Sequence, residues 1–285
     1  MLFRSVLLID LSKGTWEAQD IPEAVYESVL SGVGLGAYYL YRHIPADADP
    51  LGPDNILGFT SGLLTGTGAF MTGRWMAVCK SPLTGGWGDS NCGGTLAPAI
   101  KQGGYDAIFF RGVSPKPVYV YVDNKGPQIR DAAAYWGLDA VEAEEALIRD
   151  ARGGEGGGKK KPEAAVIGPG GEKLSRIAGI SNDRGRYAAR SGVGAVMGSK
   201  RLKALVLAGT KAVRPADPEG MKRLSASFAS TVRKANLPAF FTGAVFPFMG
   251  GFMGGLPSAV PLDGMLSAMM FKKFGSIMNN TYSMT

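Results

Sequence analysis

The stretch Gly58–Tyr105, GFTSGLLTGTGAFMTGRWMAVCKSPLTGGWGDSNCGGTLAPAIKQGGY, is long, nearly uncharged and studded with glycine. Glycine adopts positive φ freely and lets backbone approach a partner closely, at an entropic cost that a plain core avoids. Such composition points to loops wrapped around a ligand, with turns between strands as the plainer alternative. The few polar marks inside it, Arg74, Lys80, Asp89, Ser90 and Asn91, are sparse enough to have specific tasks. A second stretch of the same kind, Ser181–Lys200, sets Arg184, Arg186 and Arg190 beside small residues. Backbone N–H groups and guanidinium forks in such a segment are suited to holding phosphate.

Outward from these stretches, the chain reads as a run of short strands with few helices. Strands are expected at residues 3–10 and 15–20 across the Lys13-Gly14 turn, then at 55–60, 75–79 and 107–111. A hairpin follows at 118–122 and 128–130, with further strands at 164–167, 177–180 and 204–207. Helices are expected over 22–30, 37–43, 140–152 and 218–235. The pattern predicts an α+β fold with mixed and antiparallel sheets rather than a doubly wound one. The predicted division is a strand-rich base domain, 1–212, followed by the beginning of a helical domain, 213–285. Gly32-Val-Gly-Leu-Gly36 is rejected as a dinucleotide fingerprint because it follows a helix and lacks the final spacing.

At 285 residues, 45% apolar and 19% charged, the chain is long enough for a sizeable core and is not of disordered composition. Its net charge of +7 is scattered, and the densest run, Lys159-Lys160-Lys161, sits in a glycine-rich loop, so nucleic-acid binding is not expected. Two cysteines, Cys79 and Cys92, make no disulfide framework, and Cys79 reads as a small core residue. The single histidine, His43, leaves little scope for histidine-based acid–base or metal chemistry. No signal peptide is read at the N-terminus, so a cytoplasmic location is expected. Between Lys234 and Asp263 no residue is charged, but Pro238, Pro247, Pro257 and Pro261 interrupt any continuous membrane helix. That apolar surface needs covering by chain or partner, and a homo-oligomer is one expectation.

Several ordered motifs carry a family resemblance. They are Leu63-Leu-Thr-Gly-Thr67, Gly73-Arg74, Lys80-Ser-Pro-Leu-Thr-Gly85, Ser90-Asn-Cys-Gly-Gly94, Gly104-Tyr-Asp-Ala-Ile108, Ile129-Arg-Asp-Ala132, Ile167-Gly-Pro-Gly-Gly-Glu172, Ser181-Asn-Asp183 and the run Gly192–Ala204. In collinear order over residues 3–218 they resemble the N-terminal domain of the tungsten-containing aldehyde:ferredoxin oxidoreductases. The resemblance implies a cytoplasmic, anaerobic oxidoreductase that oxidises aldehydes to carboxylic acids through a tungsten or molybdenum bis-pterin and a 4Fe-4S cluster, with ferredoxin as electron acceptor. It implies pterin contacts at Arg74, Asn91, Gly93, Arg186 and Tyr187, with Arg74 also near the cluster. It further implies magnesium held by the backbone carbonyls of Asn91 and Tyr187, although a small residue is usual at the latter position.

A flat, anionic pterin phosphate needs close backbone and a few fixed cations, which agrees with abundant glycine and scarce histidine. Magnesium with carbonyl and phosphate oxygens is chemically consistent. The cluster cysteines of the family are not in this chain, and two thiols do not supply four ligands. The missing helical domains or a second subunit are therefore expected to carry them, making the chain a truncated product or one half of a split enzyme. A subunit reducing aromatic-ring thioesters, within the same family, and a non-catalytic pterin- or partner-binding remnant are the alternatives.

Overall fold

Fully apolar runs in this chain become strands buried on both faces, because alternate side chains serve two different cores. The computed structural model describes residues 5–153 and 161–234. Met1–Phe228 form one compact unit and Ala229–Thr285 a second. The expected apolar segment beyond residue 236 lies outside the described residues, as do Lys159 and Lys160.

In chain order the elements are β1 (Ser5–Asp10), β2 (Thr15–Asp20), α1 (Glu23–Val29), α2 (Val33–His43), β3 (Leu57–Ser61), β4 (Trp75–Lys80), β5 (Trp87–Cys92), α3 (Leu96–Gln102), β6 (Ala107–Arg111), β7 (Val118–Asp123) and β8 (Gly126–Asp131). A short 3₁₀ turn at Ala133–Tyr135 precedes α4 (Ala140–Gly153). There follow β9 (Glu163–Val166), α5 (Pro169–Glu172), β10 (Ile180–Asn182), β11 (Arg186–Ala188), α6 (Val193–Ser199), β12 (Leu202–Leu207) and α7 (Pro218–Lys234).

The strands build two six-stranded sheets, ordered β2-β1-β6-β3-β4-β5 and β11-β10-β9-β12-β7-β8. The pairs β1–β6 and β7–β12 are parallel and the other pairs antiparallel, so the fold is α+β and strand-rich with mixed sheets. Leu7, Ile9, Phe59, Trp75 and Phe110 of the first sheet meet Val120, Ala165, Ile180 and Leu205 of the second in the central core, which α3 and α6 complete. The opposite faces are covered separately. Val6, Leu8, Val78 and Phe109 pack against α1 and α2, and Tyr121, Val166 and Val206 pack against α4.

Two expectations change. Residues 177–179 are not strand: Ala178 N–H donates to Ser175 O at 2.9 Å and Gly194 N–H to Ala178 O at 3.0 Å, so this segment turns to close the start of α6, and the strand begins at Ile180. Helix α2 starts at Val33 rather than Ala37, because Gly36 faces the sheet, where a Cβ would stand 3.0 Å from Val78 Cγ2. Among the described residues no helix is long and apolar enough to cross a membrane.

Candidate functional site

β5 is the last strand of one sheet and β11 the last of the other, and the two edges meet. Hydrogen bonds between segments far apart in sequence stitch them together. Ser90 Oγ donates to Ala189 O at 2.5 Å, Ser191 Oγ donates to Asp89 O, and Ser81 Oγ donates to Ser191 O at 3.0 Å. Both glycine-rich stretches are thereby brought to one seam.

At the end of this seam the sequence-predicted residues converge. Arg74 enters β4 opposite the end of β5, and its Nε donates to Asn91 Oδ1. A methyl group placed on Gly93 would stand 3.0 Å from Arg74 Nη1 and 3.6 Å from Arg186 Nη1, so two guanidinium groups close on one point where there is no side chain. Arg186 Nε donates to Asp183 Oδ2 at 3.1 Å, while among the described residues no carboxylate pairs with Arg74. Two guanidinium groups held near one point at an exposed seam, only one of them paired with a carboxylate, have the chemistry to take an anion, which would lower their repulsion and accept charge-assisted hydrogen bonds.

The turn between β10 and β11 decides which arginine joins the cluster. Asp183 and Arg184 both have left-handed backbone, φ +51° and +57°, and Gly185 N–H donates to Asn182 O at 3.3 Å, the pattern of a type I′ turn. Left-handed non-glycine residues cost roughly 1 kcal/mol or more each and persist where surroundings fix them. The fixing group is Glu144 of α4, whose buried carboxylate accepts the Arg184 N–H at 3.1 Å. Burial pushes the Glu144 carboxyl above its usual value, opposed by hydrogen bonds from the backbone N–H groups of Arg184 and Asp183. The Arg184 guanidinium is drawn off to Glu145, at 2.8 Å from its Nε, whereas the Arg186 guanidinium faces Gly93.

Tyr187 lies between Arg186 and Ala188 on β11, paired with Ser181. Strand alternation places its side chain, 53% exposed, on the face opposite Arg186, so only its backbone belongs to the seam. Behind the cluster stand residues that the spacing did not single out. Trp75 Nε1 donates to Gly93 O at 3.3 Å and Asn182 Nδ2 to the same oxygen at 3.2 Å. The Cys92 thiol donates to Asn182 Oδ1 at 3.1 Å, and burial raises its pKa. Cys79 is fully buried on β4, its thiol pushed up to about 12 by desolvation. Among the described residues no three His, Cys, Asp or Glu side chains gather as metal ligands.

The residues fit a phosphate-bearing, hydrogen-bond-rich group: bare backbone at Gly93 and Gly94, two cations, and edge-strand carbonyls. The family model for the aldehyde ferredoxin oxidoreductase N-terminal domain matches residues 6–209. The chain belongs to the aldehyde ferredoxin oxidoreductase family. It is 42% identical over 213 residues to the tungsten-containing aldehyde ferredoxin oxidoreductase of Thermococcus kodakarensis, a match covering 75% of this chain and 34% of that protein. The aliphatic sulfonate oxidoreductase, WOR-like subunit, of Pyrococcus furiosus is 35% identical over 233 residues, covering 78% of this chain and 37% of that one. Among solved structures, the active site complex BamBC of benzoyl coenzyme A reductase superposes with a TM-score of 0.77 at 36% identity, over 82% of this chain and 35% of that chain. The chain thus spans about a third of the length of the curated relatives it matches.

Proposed function

We propose that the seam cradles the phosphate-bearing side of a tungsten or molybdenum bis-pterin in an aldehyde:ferredoxin oxidoreductase. The observation that carries this is the closure of Arg74 and Arg186 on the side-chain-free Gly93. Arg74 and Arg186 bind pterin phosphate, Gly93 admits the cofactor to backbone distance, and Asn91 orients Arg74. Asn91 and Tyr187, on the two facing edge strands, offer backbone carbonyls to a magnesium ion that offsets phosphate charge. When bound, the metal–pterin supplies the two-electron redox chemistry, and this chain contributes binding, orientation and charge.

The base domain on this reading is 1–212, and 213–285 begins a helical domain. The iron–sulfur cluster and the substrate walls belong to helical domains or a second subunit, with a homo-oligomer as a further level of assembly. Ferredoxin is the electron acceptor, in an anaerobic cytoplasm compatible with two buried free thiols. The likeness to the benzoyl coenzyme A reductase complex favours one second reading, a subunit that reduces aromatic-ring thioesters.

The test is elemental analysis of protein purified anaerobically together with whatever chains accompany it. Tungsten or molybdenum with magnesium and phosphorus is expected, and loss of all of these in Arg74→Ala and Arg186→Ala. Wild-type protein carrying neither metal nor pterin phosphorus refutes the proposal.

A further inference from the structure

The Gly93–Gly94 turn faces the two cations, and its orientation is set from behind by buried donors belonging to different sheets. Trp75 Nε1, on β4, and Asn182 Nδ2, on β10, reach the Gly93 carbonyl at 3.3 and 3.2 Å. A carbonyl oxygen accepts and never donates, so the amide NH₂ is the end of Asn182 that must face Gly93. The amide oxygen is left for a donor on its other side, and the Cys92 thiol stands there at 3.1 Å. Cys92 and Asn182 are 3% and 1% exposed, so no water competes freely for either bond.

In a trans peptide the C=O of one residue and the N–H of the next point in opposite directions. With the Gly93 carbonyl drawn toward Trp75 and Asn182, the Gly94 N–H points away from the interior. Among the described residues no group accepts a hydrogen bond from that N–H. Gly94 has φ +95°, and a Cβ there would stand 2.6 Å from Asn182 Nδ2, so the turn and the amide fit only while residue 94 is glycine.

We propose that Asn182, kept in its orientation by the Cys92 thiol, is a positioning residue that locks the Gly93–Gly94 peptide and presents the Gly94 N–H as a donor to an anionic oxygen of the bound cofactor. This rests on the phosphate-cradling reading above. Asn182 touches no cofactor atom itself and acts through the peptide it holds.

The experiment uses the full chain labelled with ¹⁵N, following the Gly94 amide resonance alone and on titration with inorganic pyrophosphate in magnesium chloride. In Asn182→Asp the side chain keeps its shape but loses the donor, so the Gly94 resonance is expected to move in the ligand-free chain and pyrophosphate affinity to fall about tenfold. Cys92→Ala is expected to give a smaller effect in the same direction, and Cys92→Ser, which retains a donor, to restore wild-type behaviour. A merely structural role would move melting temperature without this pattern of rescue. An unmoved Gly94 resonance with unchanged affinity in a folded Asn182→Asp overturns the assignment. If that variant does not fold, identical Gly94 resonances and affinities in Cys92→Ala and wild type overturn it equally. Absence of saturable pyrophosphate binding by wild type refutes the cradle, while a displaced Gly94 resonance in ligand-free Asn182→Asp still supports the lock.

Discussion

Replacing Lys200 with methionine should cost more stability the higher the pH. Lys200 follows α6 and is fully buried, donating from Nζ to the carbonyls of Asn55 at 2.5 Å and Gly112 at 3.3 Å, and no carboxylate forms an ion pair with it among the described residues. Desolvation lowers its pKa from 10.5 to about 8. Below about pH 8 the amine is charged in both folded and unfolded chains, and the folded state bears the full penalty. Between about 8 and 10.5 the unfolded chain binds more protons, so stability rises with pH, and above 10.5 the penalty is gone. A shift of this size corresponds to about 3 kcal/mol. Methionine keeps the aliphatic stem and removes the titration, leaving two carbonyls without their donor at a cost of about 1–3 kcal/mol.

Near pH 7 the gain and loss in Lys200→Met therefore almost balance. At pH 10.5 the variant should be less stable than wild type by about 3 kcal/mol more than it is at pH 7. Urea unfolding of both proteins across this range measures it, and subtraction removes every other titrating group. Cys79, which interacts electrostatically with Lys200, has its own pKa pushed to about 12 and stays protonated throughout. A difference that is flat with pH would show that two carbonyl acceptors suffice to keep the buried ammonium charged, and would refute the reasoning.

Gly94→Ala combines positive-φ strain with displacement of the Asn182 amide, about 2–4 kcal/mol together, and calorimetry should show melting roughly 5–15 °C lower. Glu172→Ala strips the buried Lys203 ammonium of its carboxylate, which lies at 2.5 Å, and should cost about 3–5 kcal/mol in chemical denaturation at neutral pH. Arg184→Ala removes only an exposed pair with Glu145, so both melting temperature and the metal content of the purified protein should match wild type.

The sheet interiors could be read directly from the chain. Val118–Val122 and Ala107–Phe110 are unbroken apolar runs because both faces of each strand are covered. β5 could not be read the same way. Its sequence, Trp-Gly-Asp-Ser-Asn-Cys, has poor strand propensity, and it is an edge strand whose Ser90 bonds across to Ala189, just after β11, and whose Cys92 bonds to Asn182 of β10. Ile177 misled for the opposite reason, since an apolar residue in a promising run is 77% exposed in a turn. Within the site, Arg184 and Arg186 are two residues apart and alike in sequence. Only the left-handed turn and the carboxylates of Glu144 and Glu145 send one away and leave the other at Gly93. The family resemblance singles out Arg186, and the turn accounts for its guanidinium standing beside Gly93 while that of Arg184 pairs with Glu145.

The seam is joined by bonds that span long stretches of chain: 89 residues from Asn182 to Gly93, 99 from Ser90 to Ala189 and 110 from Ser81 to Ser191. Closing such distances carries a large loop entropy, so these contacts form after the local hairpins of either sheet. The Arg74–Gly93–Arg186 arrangement accordingly depends on both sheets and is expected to form late in folding. On the function proposed above, a ligand held by Arg74 and Arg186 would bridge the two sheets, each of which keeps its own remaining partners. Hydrogen exchange should thus find residues 89–94 and 186–191 opening together, at lower free energy than the strand centres, and slowing as one group when the ligand is present.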